Sequence, residues 1–351
     1  MKVHVVDPPA YTPPYDHALC AGLAAEGLDV ELVTSRFRHG EVAAPDGYRR
    51  RELFPSTRAG RLAGHVPAML RYRGLARAAD VVHFQWLTWP ALDRRLLPRG
   101  RPLVITAHDV LPRERIAGSH AAQRRLLAAF DAVVVHSRAG RERLVAEAAV
   151  EPERVHVIPH GAFAHLADLP PGPLPAELAP TQRLVVLYFG LIRPYKGLDT
   201  LLEAWRGVEG AELWVVGRPR IDVSALRAGA NTRWVPRFVS DAELAACFRR
   251  ADLVVLPYRE IDQSGVLATA LAFARPLLLT DVGGFAEVAH RGAAELVPAD
   301  DSPAMHEAIV GLLGDAPRRA RLSAAAGELA ARDASFAHAA RLTAALYAAL
   351  S

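Results

Sequence analysis

Two α/β domains, each a doubly wound parallel sheet, are what this sequence predicts, and three observations predict them. Short apolar, β-branched runs alternate with Ala/Leu/Arg stretches of helical pattern over most of the 351 residues. That is the rhythm of strands buried on both faces and joined by helical crossovers. A segment carrying Pro170, Pro171, Pro173, Pro175 and Pro180 interrupts the rhythm near the middle, and neither a helix nor a central strand tolerates such a run. The alternation then restarts, so a chain long enough for about two domains divides into two similar halves.

The elements follow in order. In the first half the strands are 2–7, 29–35, 81–86, 102–108, 132–137 and 155–161. The segment from Tyr15 onward shows an apolar helical face that Gly27 ends. In the second half the strands are 184–190, 211–217, 232–238, 252–258, 276–281 and 294–298. The predicted organisation is a first domain over 1–168, a proline-rich linker over 169–182 and a second domain over 183–332. A last amphipathic helix, 333–351, is placed to pack back on the first domain. Two doubly wound domains of this kind are expected to face a central cleft with the carboxyl ends of their strands, where ligands bind in such folds.

Composition narrows the class. Hydrophobic residues make up 51% and charged residues 23%, a globular profile with ample core material. No run of 18 uncharged apolar residues occurs, and the opening "MKVHVVDPPA" is too short for a signal segment, so a cytoplasmic protein is expected. Cys20 and Cys247 fall in separate helical patterns and read as reduced core thiols, with no metal site implied. The net charge of +4 is uneven: residues 49–125 hold 16 basic and 5 acidic residues, or +11. Such a tract suits peripheral contact with an anionic membrane face or an acidic acceptor, and a solvated arginine surface explains it as well. No recognition motif accompanies it, so nucleic acid is not expected as a partner.

Of the 42 basic residues only Lys2 and Lys196 are lysines. Lys2 follows the initiator methionine. Lys196 lies in "YFGLIRPYKG", a loop after a strand that ends in Gly190 and also carries Arg193. A compact ammonium reaches a phosphate oxygen in a tight turn where a flat guanidinium fork fits less well. A glycine-bounded strand-to-helix loop with two cations has the composition of a phosphate clamp. A second loop precedes the helix that opens "QSGVLATALA". Ser264 is a fair N-cap there, and Gly265 permits close approach by a ligand. The N–H groups of Gly265, Val266 and Leu267 are expected to point at an anion, with Gln263 beside them. Neither a Walker A pattern nor G-x-G-x-x-G is present.

The stretches "YFGLIRPYKGLDTLLEAW", "ADLVVLPYREIDQSGVLATALAFARPLLLTDVGGFAEV" and "VIPHG" resemble the family-four (group 1) retaining glycosyltransferases of the GT-B fold. The likeness is specific over the second half and looser over the first. It implies a nucleoside-diphosphate sugar donor, UDP- or GDP-linked, on the second domain and a hydroxyl acceptor, soluble or lipid-linked, on the first. It implies no separate cofactor. Arg193 and Lys196 match the family's diphosphate cations. Gly190, Gln263, Ser264, Gly265, Val266 and Leu267 match its donor-binding turns, and His108 in "VITAHD" matches its strand-end histidine near donor sugar and acceptor. Ser137 is expected to cap a helix after a strand, His83 to pack within one, and Gly161 to serve a tight turn beside the ligand. Front-face attack within an ion pair is the family's usual scheme and asks for no enzymic nucleophile. The absence of an Asp-x-Asp pair agrees with a metal-independent reaction.

Two departures stand out. The family's paired glutamates are incomplete here: Glu260 is followed eight positions later by Ala268, and Asp262 by Ala270. The first strand-to-helix loop, "DPPAYTPPYDHAL", is stiff with proline instead of carrying the usual glycines. A nucleotide-sugar epimerase or hydrolase of the same fold, or a non-catalytic two-domain binder of a small ligand, are the alternatives. The first needs patterned carboxylates, and the second leaves the Arg193/Lys196 loop without a purpose.

Overall fold

The structure is a computed structural model that describes residues 1–37, 42–110, 119–224, 226 and 229–351. It separates into two compact units, Met1–Gly161 with Phe336–Ser351, and Ala162–Ser335. The first unit holds seven parallel strands: β1 (Lys2–Asp7), β2 (Asp29–Ser35), β3 (Arg49–Phe54), β4 (Val81–Phe84), β5 (Leu103–Thr106), β6 (Ala132–Val135) and β7 (Val155–Val157). Their order is β3-β2-β1-β4-β5-β6-β7. The second holds six: β8 (Leu184–Phe189), β9 (Ala211–Val216), β10 (Thr232–Val235), β11 (Leu253–Leu256), β12 (Leu277–Thr280) and β13 (Ala294–Val297), in the order β10-β9-β8-β11-β12-β13. Both sheets wind outward in one direction and then in the other. The reversal falls between β1 and β4 and between β8 and β11, where the connections diverge at the carboxyl ends and leave a crevice.

Burial on both faces explains the continuous apolar strands. In β8, Val185 and Leu187 enter one core with Trp214 and Leu256, while Val186 and Tyr188 enter the other with Leu201 and Trp205. This is the period-two alternation of a pleated strand. Observed strands stop one to four residues short of their predicted carboxyl ends: at Phe84, Thr106, Val135 and Val157 in the first sheet. The residues beyond them, Gln85, His108, His136 and His160, leave the ladder for side-chain contacts of their own.

Three features differ from the sequence reading. Arg49–Phe54 is an edge strand, hidden in the sequence because its arginines read as part of the basic tract. Arg49 lies 2.7 Å from Asp29 on β2, and Arg51 pairs with Glu31. These partners remove charge from the tract, part of which (111–118) lies outside the described residues. The proline-rich segment belongs to the second unit. Leu178 is buried in its core, and Arg237 grips Glu177 at 2.7 and 2.9 Å. Arg249 donates to the carbonyls of Ala167, Leu169 and Pro170. Prolines leave carbonyls without matching N–H partners, and arginines supply the donors. The division accordingly falls after Gly161, ahead of the predicted 169–182 linker. The helix Phe336–Leu350 belongs to the first unit, where Tyr347 meets His83. Cys20 and Cys247 are buried thiols. Among the described residues no helix is long and apolar enough to cross a membrane.

Candidate functional site

At the second unit's switch point, Gly190 follows the last residue of β8 at φ +108°. A Cβ there would lie 3.0 Å from Lys196 Nζ and 3.0 Å from Val266 Cγ2. Glycine is required by the backbone, and the space it saves is taken by those two side chains. The loop continues through Arg193 into a 3-10 turn over Pro194–Lys196. Gly197 follows at φ +62°, where a Cβ would strike the Pro257 carbonyl oxygen at 1.8 Å. The turn is thus pressed against the end of β11.

Lys196 is only 7% exposed, yet among the described residues no carboxylate pairs with it. Its ammonium sits 4.9 Å over the Tyr258 ring, a contact that leaves its charge unneutralised. Arg193 is exposed and, among the described residues, has no ion-pair partner. Across the crevice the helix Gly265–Ala272 begins. Ser264 Oγ accepts from the N–H of Leu267 at 3.2 Å. The expectation that Leu267 offers its N–H to an anion is therefore corrected, because the N-cap satisfies it. The N–H groups of Gly265 and Val266 have no acceptor among the described residues. Gln263 Oε1 is buried and likewise lacks a partner. Where the family's second glutamate stands, Ala268 and Ala270 are buried in the core and Thr269 bonds the Gly265 carbonyl at 2.8 Å. This helix carries no carboxylate.

Arg259 was not anticipated. It donates to the Pro194 carbonyl at 2.6 Å, to Asp199 at 2.8 Å and to Asp300 at 2.6 Å, and its own N–H meets the Tyr195 carbonyl at 2.8 Å. Its side chain therefore ties the Lys196 turn to the ends of β11 and β13. The hydrogen bond to Asp199, with a smaller share from Asp300, holds the guanidinium above its usual pKa. The signal in the sequence is faint: an arginine directly after "LPY" with an aspartate in the first turn of the neighbouring helix.

The first unit's carboxyl edge is chemically different. His108 is 1% exposed. Its Nε2 lies 3.0 Å from the Gln85 amide and its Nδ1 lies 3.3 Å from His136 Nε2. His136 Nδ1 meets the Ile158 carbonyl at 2.9 Å. A carbonyl only accepts, so His136 carries its proton on Nδ1 and accepts at Nε2 from His108 Nδ1–H. His108 Nε2 is then an acceptor, which the Gln85 NH2 group satisfies once the amide is turned toward it. That orientation also gives the otherwise orphaned Gln85 nitrogen a partner. Trp86 stacks on the His108 ring at 4.9 Å and 12°, and Tyr15 meets it edge-on at 4.9 Å.

Burial keeps this group neutral. It lowers His83 and His160 to about 3 and His136 to about 4, and it holds His108 well below its ordinary value, with the neighbouring histidines adding to the effect. His83 is tied to Tyr347 at 2.6 Å and Thr106 at 2.8 Å. Ser137 caps its helix through the Gly140 N–H at 2.9 Å. Gly161 is explained by packing: a Cβ would meet the Phe336 ring at 2.4 Å. Among the described residues no group of His, Cys, Asp or Glu is arranged to hold a metal ion.

The structure thus brings Gly190, Lys196 and Val266 together, with Ser264 and Gly265 in the same turn, and keeps His108 buried with both nitrogens engaged. Residues 183–315 match the family described as Glycosyl transferases group 1, and residues 15–162 match Glycosyltransferase Family 4. A D-inositol 3-phosphate glycosyltransferase of Xylanimonas cellulosilytica is 30% identical over 88% of this chain and 84% of its own length. A GDP-mannose:glycolipid 4-beta-D-mannosyltransferase of Xanthomonas campestris pv. campestris is 32% identical over 57% of this chain and 60% of its own. Anabaena HepE, solved in complex with UDP-glucose, superposes over 100% of both chains with a TM-score of 0.76 at 17% identity, a likeness of fold. The chain belongs to the group 1, family-four glycosyltransferases, with their two-domain GT-B fold.

Proposed function

We propose that the second unit binds a nucleoside-diphosphate sugar and that the enzyme transfers the sugar to a hydroxyl with its anomeric configuration retained. One observation carries this reading: Lys196, the lone lysine outside the N-terminus, is buried at the switch point without a counter-ion. A buried ammonium is expensive unless an anion completes it. The Gly265 and Val266 N–H groups at the opposing helix start suit the same anion. The diphosphate of the donor fits both, and Arg193 adds a second cation from the same turn. The buried Gln263 amide is the group left to meet a donor hydroxyl where the family's second glutamate is missing.

The step balances without an enzymic nucleophile. The bond between the sugar's anomeric carbon and the diphosphate oxygen breaks, and its electron pair passes to the β-phosphate. Lys196 and Arg193 stabilise that growing charge. The acceptor hydroxyl attacks the same face of the sugar, and its proton passes to the departing phosphate. With two cations serving the diphosphate, no metal or further cofactor is required. The acceptor is assigned to the first unit. The basic balance of residues 49–125 favours an acceptor at an anionic membrane face, on the cytoplasmic side.

The test is release of nucleoside diphosphate from UDP-glucose, UDP-N-acetylglucosamine, UDP-galactose and GDP-mannose. One donor is expected to turn over slowly in water, and Lys196→Ala should lower that rate by about 10²–10³. A Lys196→Ala protein releasing nucleotide as fast as the parent would sink the proposal.

A further inference from the structure

The first unit's switch point, between β1 and β4, holds an aromatic pair that the donor chemistry leaves unused. Tyr11 is 53% exposed, although large apolar side chains of this chain are mostly buried. Its ring stands edge-on to Trp86 at 5.5 Å and 74°. Trp86 in turn covers His108, the group expected to meet substrate. His108 is closed off on all sides described, so whatever approaches this edge meets Trp86 and Tyr11 first.

The loop that presents them is built to stay still. Pro8 and Pro9 are buried, and Pro13 and Pro14 open the following helix. Ala10 holds a left-handed φ of +51°. The buried Asp7 carboxylate accepts from the N–H groups of Tyr11 at 2.8 Å and Thr12 at 3.4 Å. Thr12 Oγ1 accepts from the Trp86 indole N–H at 2.9 Å, fixing the ring plane. Strain of this kind persists only where the surroundings over-determine it.

We infer that Tyr11 and Trp86 form an aromatic platform for the ring of the acceptor, a pyranose or cyclic polyol. The inference rests on the reading of the chain as a transferase with its acceptor on the first unit. A sugar ring or cyclic polyol presents a C–H face to an aromatic face and a rim of hydroxyls to polar neighbours. Two rings set edge to face, with the Thr12 hydroxyl on the indole N–H, suit a small polar ring and not an extended acyl chain. Pre-organisation by proline lowers the ordering penalty of such a contact.

Saturation-transfer NMR on the whole protein tests it, with methyl α-D-mannopyranoside, methyl α-D-glucopyranoside and myo-inositol as probes and acyclic mannitol as control. At least one cyclic probe should bind through its ring C–H protons, and mannitol should not. Tyr11→Ala should weaken that binding roughly fivefold, whereas Tyr11→Phe should keep it within about twofold. Trp86→Phe serves as the second variant, since Tyr11 is exposed and its loss leaves the core intact. UDP or GDP binding is followed in the same samples and should be unchanged in Tyr11→Ala. Binding of no cyclic probe, equal binding of mannitol, or unchanged binding by Tyr11→Ala would overturn the platform. Failure of Lys196→Ala to weaken nucleotide binding would instead overturn the donor reading and leave the platform result standing.

Discussion

The two switch points occupy equivalent places in sheets of matching order, yet one is electrostatically open and the other closed on itself. Beyond β8, a glycine turn carries the largely buried Lys196 and faces the Gly265 and Val266 N–H groups, none of which has a partner of opposite character among the described residues. Beyond β1 and β4, a proline loop leads to Tyr15, which meets His108, His136 and His160, and together with His83 these neutral histidines have nitrogens engaged by one another, by carbonyls, by hydroxyls and by the Gln85 amide. The contrast teaches that a sheet topology supplies a crevice, while the choice between glycine with a cation and proline with aromatics decides what the crevice can receive. An unpaired cation points to a ligand that supplies the missing charge. A saturated histidine cluster points to rigidity, with recognition delegated to the rings above it.

Acid should break this contrast most strongly. His83, His136 and His160 are neutral in the native state down to about pH 3–4 and His108 is held well below its ordinary value, while in the unfolded chain they take up protons below about 6.5. The unfolded state therefore gains protons first, and stability falls as pH drops from 6.5. The loss is on the order of 1 kcal/mol per histidine per pH unit. Asp7 and Asp16 act in the opposite sense. Burial raises both carboxyls, chiefly by desolvation, so the native state protonates before the unfolded one and gains stability on acidification. Four histidines outweigh two carboxyls. Hydrogen exchange compared at pH 7.5 and 5.0 should show protection lost in 1–161 and largely kept in 162–335; equal loss in both units would contradict the assignment.

Arg259 sharpens the other side of the comparison. It is doubly paired where Lys196 is unpaired, and its bonds to Pro194 and Asp199 hold the lysine turn in place. Arg259→Met is expected to lower kcat/KM for donor hydrolysis about tenfold through the displaced turn. Because Asp199 and Asp300 are largely exposed, stability should change by less than about 1 kcal/mol. Kinetics and a thermal melt on the same preparation check both halves, and a large melt shift with unchanged kinetics would assign Arg259 to stability alone.

Much of the fold was legible because parallel strands buried on both faces leave unbroken apolar runs. Strand β3 was not, since an edge strand open to water keeps the arginines of 49–51 and settles them on Asp29 and Glu31 of its neighbour. Lys196 was legible as the odd cation in an arginine-rich chain. The loss of Leu267 as an anion donor was also within reach: a serine N-cap takes the third helical N–H. Gln85, Trp86, Tyr11 and Arg259 were not legible, because their roles depend on partners distant in sequence, 23, 41 and 74 residues away in the cited bonds, that only the folded sheet brings together.

The most direct test of the account is a thermal melt of the parent and Lys196→Met, each with and without UDP and GDP. A buried, unpaired cation kept for a ligand should make the empty protein less stable than the methionine variant. One nucleotide should stabilise the parent by about 2.7 kcal/mol at a hundredfold excess over Kd and leave Lys196→Met nearly unmoved. Equal stabilisation of both proteins by nucleotide would contradict the central claim that Lys196 is held for the donor diphosphate.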